Sequence, residues 1–424
     1  MKLHLSNHPS SRREAGILCG LAYLLAKPHA ATAANQFLRI PALSAGGGRR
    51  RFWPGPGLLL VLAALLGLLT PGRVSGGTLF TTNTTINDTR YDGQDIDIDG
   101  CTVTVNGSHL FNSVLVIYGG TLSFAGGTVQ SIAGAFSVVT NGTVLCQSIN
   151  NTNTNSSGQW AGQGVTIYAG IVTVDATSAI SADGQGYTGG PSGISGNGPG
   201  GGGYVGGGVG GGGYGGAGAG PGGQPYGSDA VPTDLGSGGG GYYANGGSGG
   251  GAIQLNVSAL TLNGVISANG AGGGPGDYGI WSGGGAGGSL YLVTGSLAGS
   301  GSMSANGGGG TGGGGGRIAV YYTDGSGYTG YTSCTANGCI GESGTGQNGT
   351  MAFFNTTTTP PALLVDGSGS IFTIPAGTNI SYSSIWLTNG GSLVIGGGAT
   401  LNVSGTLGVA GNSLITCQSI NNAG

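Results

Sequence analysis

Residues 252–270, AIQLNVSALTLNGVISANG, and residues 289–307, SLYLVTGSLAGSGSMSANG, align without a gap and close on the same four letters, 37 residues apart from Gly270 to Gly307. A third stretch, residues 165–184, VTIYAGIVTVDATSAISADG, closes on the related SADG. Within each, apolar residues alternate with polar ones over about four to six positions, the period of a half-buried strand. Gly, Asn or Ser ends every run, and nothing after residue 77 sustains a helical period. Many short strands with such punctuation suit a sandwich, a barrel or a solenoid. Repetition selects the solenoid, because one coil cannot bury its apolar face alone and does so by stacking on similar coils. The expected fold is all-β, a right-handed parallel β-helix with long Gly-rich loops.

A longer repeat contains the short one. CQSINN occurs at Cys146–Asn151 and again at Cys417–Asn422, an offset of 271 residues, and the match extends upstream to Cys101 and Phe372. The chain is therefore read as a leader (1–77), coils (78–184), a Gly/Tyr-rich insert (185–251), further coils (252–354) and a truncated second copy (355–424), with a longer array expected. Gly-rich tracts also occupy 271–288 and 307–316. Glycine adds no apolar side chain and loses the most entropy on ordering, so flexible loops are expected there. The alternative is extended glycine segments packed side by side and bonded through their peptides. Tyr187, Tyr204, Tyr214, Tyr226, Tyr242, Tyr243 and Tyr278 would then project as contacts.

Composition narrows the function. Gly supplies 103 of 424 residues and charged residues only 6%, against about 25% in ordinary soluble domains. From Gly77 onward two cations, Arg90 and Arg317, face 13 acids, a balance of −11. Nucleic-acid binding needs clustered Lys and Arg, and that role is excluded. In the leader, Arg49–Arg51 precede the apolar run Leu58–Leu69 and a small-residue exit, the order of a secretory signal, and Ala15–Ala26 is a weaker second signal. Both runs are too short to span a bilayer unaided, although a signal anchor, and hence a membrane-anchored full-length protein, fits the same pattern. An extracellular or cell-surface location is expected. In a eukaryotic source the sequons at Asn83, Asn87, Asn106, Asn141, Asn150, Asn155, Asn256, Asn348, Asn355, Asn379 and Asn402 would accept glycans. Cys334 and Cys339 are expected to close a small turn by a disulfide.

The motifs GGSGGGAIQLNVSALTLNGVISANGAGG, GGGAGGSLYLV, SANGGGGTGGGGGRIAVYY, NGTMAFF and LLVDGSG resemble the glycine-rich β-helix modules of very large bacterial and protist surface proteins, which are adhesin-like and sometimes linked to ephrin-receptor-like Cys-rich regions. The resemblance spans about residues 90–424, implies an adhesive or structural role and brings no catalytic residues with it. Asp95, Asp97 and Asp99 in DIDIDG match the first half of a calcium loop, but Asn106 stands where a bidentate Glu is required. A strand with Ile96 and Ile98 inward and the aspartates in water is the competing reading, and no other cofactor is implied. Arg317 is read as structural, pairing with an Asp or capping carbonyls. A β-helix hydrolase would need paired carboxylates, for which Asp175 with Asp183 or Asp229 with Asp234 are the candidates. Neither pair is marked by clustering, and with His109 the one histidine beyond the leader no catalytic triad forms. The reading is a non-catalytic surface protein with carbohydrate or other surface proteins as partners. A hydrolase and a receptor-like ectodomain are the alternatives.

Overall fold

A computed structural model describes residues 77–276, 280–341, 344–367 and 369–419. The leader, including both signal-like runs, and Tyr278 lie outside the described residues. The chain is all-β, with parallel pairing in both large sheets. The strands Val165–Val174, Ala252–Leu262, Ser289–Gly299 and Arg317–Tyr328 lie in order within a 13-stranded sheet, while Ala179–Ser181, Val265–Ser267 and Ser302–Ser304 follow one another in a seven-stranded sheet. Successive strands thus alternate between the two sheets. Register stacks like on like: Ile167, Leu255, Leu292, Val320 and Phe353 form one buried row, and Ile180, Ile266 and Met303 another. Both rows belong to one continuous core. Each buried aliphatic side chain contributes about 1.5–3 kcal/mol, and Leu292→Ala would cost about 2–5 kcal/mol.

The long repeat is realised strand for strand. Ser113–Ile117, Thr121–Phe124 and Thr143–Cys146 return at the 271-residue offset as Ile385–Thr388, Ser392–Ile395 and Leu414–Cys417. Pairing repeats too, since Val114 faces Phe136 as Ile385 faces Leu407. So does the left-handed backbone: Asn141 (φ 63°) returns as Asn412 (φ 61°) and Tyr118 (φ 53°) as Asn389 (φ 52°). The gapless match fails at one strand. Thr102 pairs with Thr121 but Ile371 with Ser392, so the second copy carries two extra residues between the strand Ile371–Ile374 and the next.

Between the copies the sheet reverses. Thr350–Asn355 pairs antiparallel with Ala362–Asp366, whereas its other neighbour is parallel. Met351 and Phe353 face the first core, and Ala352 and Phe354 on the other face join Leu363, Val365, Ile385 and Leu387 in a second. The two cores therefore occupy opposite faces of one continuous sheet.

The Gly-rich insert differs from the flexible loop expected of it. Residues 210–213, 235–241, 282–290 and 311–320 are buried throughout. The six consecutive N–H groups of Gly283–Gly288 donate, in order, to the carbonyls of Gly240, Thr311, Ala271, Ser237, Gly314 and Ala268. Every third donor returns to the same neighbour: 283 and 286 to segment 237–240, 284 and 287 to 311–314, 285 and 288 to 268–271. A chain that presents the same face every three residues has polyproline II geometry, which makes no internal hydrogen bonds and leaves each peptide free for a neighbour. Segment Gly236–Gly241 follows the same rule, with Gly236 and Gly239 donating to Gly250 and Gly247, and Gly238 and Gly241 to Asn197 and Ile194. The peptide bonds between segments offset the entropy that glycine loses on ordering.

Only glycine permits this approach. A Cβ on Gly285 would stand 2.0 Å from the Ser248 carbonyl oxygen, and one on Gly239 would stand 2.1 Å from that of Gly283. At Gly272 the nearest atom would be 3.6 Å away. Gly285→Ala is therefore expected to destabilise by about 1–3 kcal/mol or more, the range for overpacking, and Gly272→Ala by under about 0.5 kcal/mol. Scanning calorimetry of the two variants checks this, and equal midpoints would contradict the lattice.

Candidate functional site

The SADG and SANG turns that follow the strands of the smaller sheet form a polar ladder. Asn269 N–H donates to Asp183 Oδ1 (2.6 Å), Asn306 N–H to Asn269 Oδ1 (2.8 Å) and Asn337 N–H to Asn306 Oδ1 (2.8 Å). The side-chain amides of Asn269 and Asn306 donate onward to Ser304 Oγ (3.0 Å) and Thr335 Oγ1 (2.9 Å). Beneath them Ala182, Ala268, Ala305 and Ala336 stack at 3% exposure or less. Three of these rungs are visible in the sequence as SADG and SANG. The fourth, Thr335-Ala-Asn-Gly338, carries Thr in place of Ser, and the flanking cysteines drew it into a disulfide reading. The first rung is Asp183, whose carboxylate accepts from Ser267 Oγ (3.0 Å) and cannot donate as an amide does. Burial pushes its carboxyl above the usual range, outweighing those hydrogen bonds.

Arg317 ties the insert to the sheets. At the first position of its strand and 6% exposed, it pairs with Asp229 of the insert. Its guanidinium donates to the Tyr226 carbonyl (2.8 Å) and to Thr350 Oγ1 (3.2 Å), and it lies 5.3 Å from the Tyr214 ring centroid. Asp229 accepts in addition from Thr350 Oγ1 (3.1 Å) and from the Thr373 N–H (2.6 Å), in the second copy. Burial pulls Arg317 below its ordinary value, but a guanidinium stays charged at neutral pH. One ion pair thus joins insert, first copy and second copy.

The remaining site residues are dispersed. Asp95, Asp97 and Asp99 lie along one strand with Ile96 and Ile98 in the core, and Asp97 is buried rather than in water as expected; successive carboxylates sit about 6.5 Å apart in a row rather than around a point. Asp95 accepts from Asn112 Nδ2 and Ser113 Oγ (both 2.6 Å). Among the described residues no three His, Cys, Asp or Glu side chains gather where a metal could bind. Asp366, the counterpart of Asp99 by strand register, accepts from Thr388 and Asn389 (both 2.7 Å). Asp175 caps a turn through Thr140 N–H (2.6 Å) and Thr177 N–H (2.9 Å). Burial raises its carboxyl, but these bonds and those from side chains hold it below the usual range. Asp175 and Asp183 hold separate turns, and Asp229 serves Arg317 while burial raises Asp234.

The expected Cys334–Cys339 disulfide is not formed, since Cys334 is a free thiol 3% exposed. As the residue before a ladder rung it points inward, 3.4 Å from Tyr328 Oη, in the first core. Of the sequon asparagines, Asn348 and Asn355 are half-buried and the other nine, Asn83, Asn87, Asn106, Asn141, Asn150, Asn155, Asn256, Asn379 and Asn402, are exposed. Several also bond between rungs, as in Asn106 to Asn87 (2.7 Å) and Asn402 to Asn379 (3.0 Å).

The tyrosines of the insert divide into two sets. Tyr187, Tyr214 and Tyr226 are pillars within the lattice, where Tyr214 Oη meets Ser289 Oγ (2.7 Å) and Tyr187 Oη accepts from Gly162 N–H (3.1 Å). Burial pushes all three phenols upward. Tyr204, Tyr242 and Tyr243 cluster at the surface instead, with centroids 6.4 and 4.4 Å apart. No family model matches the chain, and no significant match to a curated protein or a solved structure is found. The site is therefore argued from its own geometry.

Three outcomes are expected. Asp183 is held above the free-carboxyl value of 3.8, so its contribution to stability is complete below that pH and is lost as pH rises through the folded value. Asp183→Asn should raise the melting temperature at pH 7 and flatten its dependence on pH from about 4 upward. Arg317→Met should cost about 3–5 kcal/mol by leaving a buried carboxylate unpaired, and Arg317→Met with Asp229→Leu should recover most of it; chemical denaturation of the single and double variants reads both. Iodoacetamide without reductant should label exposed Cys417 in the native protein and Cys101, Cys146 and Cys334 only after unfolding, as mass spectrometry would register.

Proposed function

We propose that this chain is a secreted or cell-surface repeat protein with a structural and adhesive role, built as a right-handed parallel β-helix and performing no catalysis. Alternation of strands between two sheets around one core supports the closed coil, and the right hand follows from the preference of parallel crossovers. The observation that carries the functional reading is the employment of the charged side chains. Arg317, Asp229, Asp175, Asp183 and Asp366 each bond peptide or side-chain groups of the chain itself. A reaction centre requires such groups aimed at a substrate; a rigid spacer requires them where they are. Repeated copies of the module would multiply weak contacts to carbohydrate or to other surface proteins through effective concentration.

The test is to express the chain with a C-terminal tag in its own host. The tag is expected in the medium or on intact cells, where external protease removes it. Incubated with soluble polysaccharides, the purified chain is expected to release no reducing ends. Retention in the cytosol would overturn the location, and release of reducing ends that Asp175→Asn or Asp234→Asn abolishes would restore the hydrolase.

A further inference from the structure

We infer that the outer tip of the glycine lattice is a binding platform for a neutral saccharide, with Tyr204, Tyr242, Tyr243 and Trp281 as its stacking surfaces. The inference rests on the surface-adhesive reading and names the contact that reading leaves open. Tyr243 is 54% exposed and Trp281 38%, and beside them Ile194 (55%) and Val205 (67%) are bare to solvent. Soluble chains rarely leave aromatic and aliphatic side chains grouped in this way unless the group meets a ligand.

The patch is rigidly carried. Gly193 N–H donates to the Tyr242 carbonyl (3.0 Å), Gly241 N–H to that of Ile194 (2.8 Å), and Tyr242 N–H to the buried Ser282 Oγ (3.0 Å), next to Trp281. Rings on an ordered Gly/Ser/Asn backbone give broad contact for little lost entropy, the physical basis of tyrosine-rich binding loops. The lattice thus does for these side chains what a scaffold does for a binding loop.

Charge selects the ligand. Residues 185–288 contain no Lys, Arg or His, and their three acids are Asp229, Asp234 and Asp277. Asp229 is neutralised by Arg317. With no cation to hold a carboxylate or sulfate, an anionic polysaccharide is disfavoured. A neutral sugar needs none, because its C–H faces lie on aromatic rings and its hydroxyls bond uncharged groups such as Ser195, whose Oγ accepts from the Tyr204 N–H (3.0 Å), and exposed Asn245, two residues from Tyr243. The sequons also pass over this surface, since none falls between Asn155 and Asn256, so no attached glycan would cover it.

The experiment immobilises the full chain and measures binding of a soluble β-glucan, a mannan and a galactan, with polygalacturonate as the anionic probe, by biolayer interferometry at low and high salt. At least one neutral polymer is expected to bind with little dependence on salt. Tyr242→Ala with Tyr243→Ala is expected to weaken that binding about tenfold or more at an unchanged melting temperature, and Tyr168→Ala, on the exposed sheet face, to leave it unaltered. Tyr243→Ser alone, at an exposed ring, serves if the double variant does not fold. Binding of polygalacturonate alone, binding of no neutral polymer, or equal binding by the tyrosine variants would overturn the platform. Self-association in sedimentation that the same variants abolish would assign the patch to a second copy of the chain and overturn it as well. A chain that reaches the cell surface and fails these assays loses only the platform, whereas cytosolic retention removes the reading beneath it.

Discussion

The hydrogen bond from one peptide to a peptide of another segment is the interaction on which every part of this structure depends. A buried peptide group without a partner costs about 1–3 kcal/mol, and here long tracts of bare backbone are buried. Two solutions coexist in one chain. In the strands the backbone presents alternate residues to alternate faces, and side chains fill the space between sheets. In the insert it presents a new face at each of three successive residues, and other backbones fill the space. The two solutions join without a break, since Gly288 N–H bonds Ala268, Ser289 N–H bonds Gly251, Arg317 N–H bonds Gly288 and Thr350 N–H bonds Gly316. The strands that begin at Ser289, Arg317 and Thr350 therefore enter from the lattice already in register.

Side-chain polar groups follow the same logic of bonding across segments. The asparagine ladder turns a side chain into a surrogate peptide, with an oxygen for the N–H of the next rung and, in an amide, a donor for its hydroxyl. The Arg317–Asp229 pair is the one place where the described structure joins three parts through formal charge. Such a pair adds little net stability over apolar residues of similar shape. Its geometry fixes where the insert lies, because the planar guanidinium accepts few orientations of the Tyr226 and Tyr214 carbonyls and the Asp229 carboxylate.

Much of the parallel strand pattern was legible because it is written in side chains. Alternation over four to six positions marks 252–262 and 289–299 as strands, although each runs on as one strand of 11 residues, and SADG and SANG mark the turns that become rungs of the ladder. The lattice was not legible in the same way, since a run of glycine carries no pattern from which a partner can be inferred, and its order comes from segments up to about a hundred residues apart. The fourth rung was hidden for a different reason: in SCTANGC the cysteines invited a local pairing, while the inward direction of Cys334 is set by strand register. Nor could the row Asp95, Asp97, Asp99 be separated from a cation loop by spacing alone, because alternate carboxylates fit a strand face as well. The reversal after Thr350–Asn355 is marked only by Pro360 and Pro361 in the connection, which signal a turn but not its direction.

Threefold backbone geometry has a genetic consequence. Coding sequence for glycine runs is repetitive, and repetitive sequence gains and loses short units during replication. Within Gly283–Gly288, adding or removing one residue would turn every later donor by a third of a turn and aim it at the wrong neighbour. A change of three would return each donor to its former direction. Length variation among descendants of this chain should therefore accumulate in steps of three inside the lattice, while the exposed turn at Val205–Gly208 remains free of that rule.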